Sequence, residues 1–61
     1  MNGMDAAIEF FARRAARYQA KCAELRDLAS EETNLAKRVD LLHLAWRWER
    51  IAALFRRIAE A

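Results

Sequence analysis

The sequence predicts an all-α fold: an antiparallel helical hairpin with helices over about residues 5–29 and 35–60. Three observations carry this. Strong helix formers dominate the chain, with 14 alanines, 9 arginines and 7 leucines, no proline and one glycine, Gly3. A long run keeps apolar residues on one helical face. A short polar segment then interrupts that run and shifts its phase. A single domain over 1–61 is expected, since a chain of 61 residues is too short for more.

In the first helix, Met4, Ile8, Phe11, Ala15, Tyr18, Cys22, Leu25 and Ala29 alternate spacings of four and three. That spacing places them on one seam. Glu9, Arg13, Arg17 and Glu24 occupy other faces, and Glu9 precedes Arg13 in the order that favours a helical ion pair. Asp5 lies in the first turn, where the helix dipole favours an acid.

Residues 30–34 read Ser-Glu-Glu-Thr-Asn, with no apolar side chain. Ser, Thr and Asn compete with the helical backbone through their own side chains. Asn34 is the expected N-cap of the second helix, with Thr33 or Ser30 as substitutes. A single rod is the alternative. Continuing the first seam past Ala29 lands on Glu32, Arg50, Arg57 and Glu60 among its next positions, so the seam does not continue and a hairpin is favoured.

The second helix is apolar on two sides. Leu41, Leu44, Trp48, Ile51, Phe55 and Ile58 form one line, and Leu35, Val39, Leu42 and Trp46 another. Trp46 and Trp48 point about 160° apart at 3.6 residues per turn. One neighbouring helix cannot cover both. A lone hairpin also has no enclosed core. Both facts point to a homodimer forming a four-helix bundle.

Composition excludes several classes. Turn residues are too scarce for a sheet protein. One cysteine, Cys22, cannot form an internal disulfide and fits a reducing compartment. With no basic region leading into an apolar run, a signal peptide is not expected, and the cytoplasm is the expected location. The net charge is +2. Residues 5–29, 30–42 and 43–61 each stay near neutrality, so none is a one-signed nucleic-acid arm. Uncharged stretches are too short to span a membrane.

Two segments, Tyr18-x3-Cys22-Ala23-Glu24-Leu25-Arg26-x-Leu28-Ala29 and Leu41-Leu42-x-Leu44-Ala45-x2-Trp48-Glu49-Arg50-Ile51-Ala52, resemble a set of short alphaproteobacterial two-helix proteins of unassigned function. The resemblance covers more than half of the chain. It implies a bacterial helical hairpin and no chemistry. Where that set commonly has proline after the Asp or Asn of the turn, this chain has Leu35 after Asn34.

The residue inventory gives little support to catalysis. Cys22 on the seam reads as a small buried hydrophobe. His43 has only Asp40 as a possible co-ligand at helical spacing, too few for a metal site. Ser30 and Thr33 are accounted for by the turn. Neither an enzyme nor a cofactor or small-molecule substrate is expected. The hairpin core is expected from Phe11, Tyr18, Leu25, Leu44, Trp48 and Phe55, and the dimer or partner interface from Phe10, Leu42 and Trp46, tryptophan being enriched at binding hot spots. The favoured function is a non-catalytic protein-interaction or self-association module. Another protein covering the second apolar side is a further reading.

The alternative is a small RNA- or DNA-binding regulator, acting as a dimer of hairpins through Arg13, Arg17, Arg47, Arg50 and Arg57. Its architectural precedent is the plasmid copy-number regulator that binds RNA loops, an analogy of shape alone. Glu9, Glu24, Glu49 and Glu60 dilute that field. A membrane-surface role is not expected, because packing uses the apolar sides.

Overall fold

Helix α1 runs over Gly3–Glu31 and α2 over Leu35–Glu60 in the computed structural model, which describes residues 3–61. The second helix has the expected bounds, and the first extends two residues further at each end. The two pack antiparallel into a rod with principal extents of 50 × 14 × 11 Å. The fold is all-α, a helical hairpin. Among the described residues, no helix is long and apolar enough to cross a membrane.

The turn is made without glycine. No described residue has a positive φ, so no position needs glycine's freedom. Glu32 N–H donates to the Ala29 carbonyl at 3.2 Å, and Ser30 Oγ donates to the Asp27 carbonyl at 2.7 Å. The first bond satisfies a carbonyl that the end of α1 would otherwise leave unpaired, and the second ties the Ser30 hydroxyl back onto the last turn. The Glu32 carboxylate then accepts from Asn34 N–H at 3.0 Å. Asn34 is the N-cap: its backbone is extended and its side chain accepts from Lys37 N–H at 3.1 Å. Its own carbonyl takes the first helical bond, from Arg38 N–H at 2.9 Å.

Two columns of side chains on each helix build the contact. Ala15, Cys22 and Ala29 recur every seven residues on α1, and Ala45, Ala52 and Ala59 do so on α2. Cys22 and Ala52 are fully buried, and Ala29 and Ala45 nearly so. Small residues at the contact let two helix axes approach closely. Beside them run Phe11, Tyr18 and Leu25 on α1 and Leu41, Trp48 and Phe55 on α2. Of these six, only Leu25 is buried. The helices are too close together, and too few, to enclose the larger rings. The rings stack along one edge of the seam instead. Phe11 lies 5.6 Å from Phe55, Tyr18 lies 5.4 Å from Phe55 and 5.2 Å from Trp48, and Phe10 meets Phe11 edge-on at 5.4 Å. Such geometry contributes beyond burial alone.

Leu44 is the correction to the expected core. It is 40% exposed, and the seam position belongs to Ala45. Ile51 and Ile58 are likewise exposed, with Ala52 and Ala59 on the seam. The sequence contains two interleaved lines of 3-4 spacing that share Leu41, Trp48 and Phe55. Close approach selects the line whose other members are alanines. Met4 leaves the seam for a different reason. The Phe11–Phe55 and Tyr18–Trp48 pairs set a register that carries Met4 past the end of α2, and it is exposed.

Candidate interaction surface

Two cross-helix polar contacts mark one long side of the hairpin. Arg26 meets Glu49 at 2.7 Å, and Arg56 Nη2 donates to Gln19 Oε1 at 3.3 Å. The hydrogen bond to Glu49 holds the Arg26 guanidinium above its ordinary pKa. At 3.6 residues per turn, Asp5, Glu9, Asp27, Arg38 and Glu60 fall on or beside this bridged side. It is mixed in sign and richer in acids.

The opposite side is open. No cross-helix ion pair closes it among the described residues. Its floor is the ring ladder of Phe11, Phe55, Tyr18 and Trp48. Leu44, Ile51 and Ile58, spaced by seven, line the α2 flank, and Phe10 and Leu28 the α1 flank; all five are exposed. Arg14 lies over the Phe10 ring at 5.1 Å and Arg14 Nη1 donates to Tyr18 Oη at 3.4 Å. Arg17 and Lys21 continue that edge. Lys37 and Arg47 stand on the α2 edge, with Arg50 further out. The acids here are Glu24, which reaches Lys21 at 3.8 Å, and Asp40 near the turn.

The third surface is the outward face of α2, turned away from α1. Leu35, Val39, Leu42 and Trp46 run along it, all exposed, and Trp46 is 54% exposed. The Arg50 guanidinium lies 4.9 Å from the Trp46 ring centroid, a cation–π arrangement. Leu42, His43, Trp46 and Arg47 line a shallow depression there.

This placement divides the residues that the sequence grouped. Leu42 and Trp46 share the outward face of α2. Phe10 does not join them: it lies on the α1 flank of the open side, about 15 Å further along the rod at 1.5 Å per residue. The reason is geometric, since Phe10 follows α1 towards the free ends while Trp46 sits mid-rod on the other helix. The arginines divide as well. Arg13 points away from α2 and pairs with Glu9 at 3.7 Å. Arg17 and Arg47 edge the open side, whereas Arg50 and Arg57 lie towards the outward face of α2. Periodicity within each helix could not show that the α1 and α2 stripes flank one side of the rod, because this depends on how the helices turn towards each other. The recurrence of Leu44, Ile51 and Ile58 at seven was the available signal.

The chemistry-bearing side chains do not converge. Cys22 is buried in the seam, with Leu25 and Ala45 as its neighbours in the core. His43 is exposed on α2, and Ser30 is engaged with the backbone. Among the described residues, no group of three His, Cys, Asp or Glu side chains could hold a metal ion. The arrangement offers surfaces for association. No family model, curated protein or solved structure matches the chain.

Proposed function

We propose that the protein is a non-catalytic interaction module that associates with a second copy of itself through the outward face of α2. One observation carries this reading. Leu35, Val39, Leu42 and Trp46 form a continuous line that α1 leaves exposed. Antiparallel packing of two α2 helices would cover that line and assemble four helices in all. The total surface adds support: 4907 Å² is exposed, against about 4,100 Å² expected of a compact monomer of this mass. The open side is the poorer self-association surface, because mating it with its own copy would bring Arg14, Arg17, Lys21 and Arg47 against themselves. Substituting Trp46→Glu should leave the helical signal intact and give a monomer by sedimentation equilibrium. A dimer that persists in this variant would refute the assigned face.

The nucleic-acid reading keeps one supporting observation, that Arg17 and Arg47 edge the same side of the rod. It requires binding that weakens steeply with salt, as phosphate contacts do. A gel shift with no complex at low salt would eliminate it.

A further inference from the structure

We propose that two copies stack antiparallel, with their turns at opposite ends, so that Leu42 and Trp46 of each fill a depression on the bridged side of the other. The proposal rests on self-association through α2 and adds the surface that receives it and the orientation of the pair. Towards the free ends of the rod, Ile8, Ala12, Ala16 and Ala59 line a depression between the two helices, with Glu49 and Arg56 at its rim. Methyl side chains make up most of this floor, so the hairpin itself leaves the depression unfilled. The apolar line of α2 borders the same side. Around the helix axis, Leu42 lies about 20° and Trp46 about 60° from Glu49, the α2 member of the Arg26 bridge. Both side chains are exposed, and both stand in the half of the rod nearer the turn.

The levels of the two features along the rod match. Phe11 faces Phe55 and Tyr18 faces Trp48, so Trp46 stands level with Ala20 of α1 and Leu42 level with Glu24. Arg17 marks the middle of α1. A two-fold axis lying across the rod there reverses the levels. It brings Trp46 of the second copy between Ala12 and Ala16, and Leu42 of that copy between Ile8 and Ala12. A parallel pair keeps the levels and sets both side chains beside the Arg26–Glu49 contact, where the surface is polar. Charge fits the antiparallel order as well. Arg38, near the turn, comes level with Glu60 of the second copy, twice by symmetry, and both residues are exposed. Glu49 of each copy lies near the axis, where its own Arg26 at 2.7 Å offsets the repulsion between the two carboxylates. The area suffices too. The hairpin exposes 4907 Å², about 800 Å² more than a compact monomer of its mass, and a standard interface takes about 800 Å² from each partner.

The test is sedimentation equilibrium on the full chain and four variants. Ala16 is exposed in the single hairpin, so Ala16→Glu should keep the helical signal. It should weaken the dimer at least tenfold, because it places a charge where Trp46 docks. Arg38→Glu and Glu60→Arg should each weaken the dimer several-fold. Both exchanges suit the α2 dipole, so a weaker dimer would not come from a frayed helix. The double variant Arg38→Glu/Glu60→Arg should restore the association. Within one copy the two residues lie about 33 Å apart at 1.5 Å per residue, so restoration reports on contact between copies. A dimer that Trp46→Glu dissociates and Ala16→Glu leaves intact would overturn the docking while self-association through α2 stands. A double variant no better than the single ones would contradict the antiparallel order. A trimer or larger assembly would also contradict it. A wild-type chain that is monomeric at every concentration would remove the proposal together with the reading it rests on.

Discussion

Cys22 shows how tightly the two helices close. It has no solvent exposure, and Leu25 and Ala45 pack against it. A side chain with two more heavy atoms has no room there. Cys22→Leu should therefore destabilise the hairpin by about 1–3 kcal/mol through overpacking, read as a lower midpoint in thermal or urea unfolding. An unchanged midpoint would mean that the seam is looser than its burial indicates. Asn34 is the second single residue with a defined cost. Its side chain caps α2 through Lys37 N–H, so Asn34→Ala should lose about 1 kcal/mol, and Asn34→Asp should retain most of it. A loss that was equal for both variants would contradict the cap. The Arg26–Glu49 contact is exposed on both partners, where such pairs contribute little. The raised Arg26 pKa works in the stabilising sense below arginine's ordinary value and is lost only as pH rises through the higher folded value. It therefore gives stability no pH dependence near neutrality.

At the scale of the element, each helix is built from one small and one large column at intervals of seven. The small columns decide where the helices touch. Ala52→Leu should cost about 1–3 kcal/mol by forcing the axes apart. Ile51→Ala, one residue away on the exposed flank, should cost under about 1 kcal/mol, since a half-exposed side chain has less burial to lose. Similar losses for the two, measured by chemical unfolding, would contradict the assigned seam. This pair also marks how much was legible in the sequence. The α1 seam from Phe11 to Ala29, the polar break and the Asn34 cap could all be read from spacing and side-chain chemistry. The α2 seam could be read only to within one residue of phase, because leucine and isoleucine outweigh alanine in any hydrophobicity pattern. Leu44, Ile51 and Ile58 therefore looked like core. Steric closeness chose Ala45, Ala52 and Ala59, and closeness is a property of the helix pair.

At the scale of the molecule, a rod of two helices presents three kinds of long surface: a polar bridged side, a ring-lined apolar side with basic edges and the outward apolar line of α2. The last two leave Trp46, Leu42, Phe10 and Leu44 among the dozen exposed large hydrophobic side chains of the described residues, more than scattered surface residues require. Phe10 could not be assigned to its surface from sequence, because it depends on which way α1 turns its flank towards α2. A hairpin whose buried residues, among those described, are four alanines, one cysteine and one leucine also has little core of its own, so association should contribute to stability. The most direct measurement is the solution mass by light scattering over a hundredfold range of concentration. The account expects a dimer that dissociates on dilution, with Trp46 emission shifting to the red as it does so. A constant monomer mass across the whole range would contradict self-association through α2.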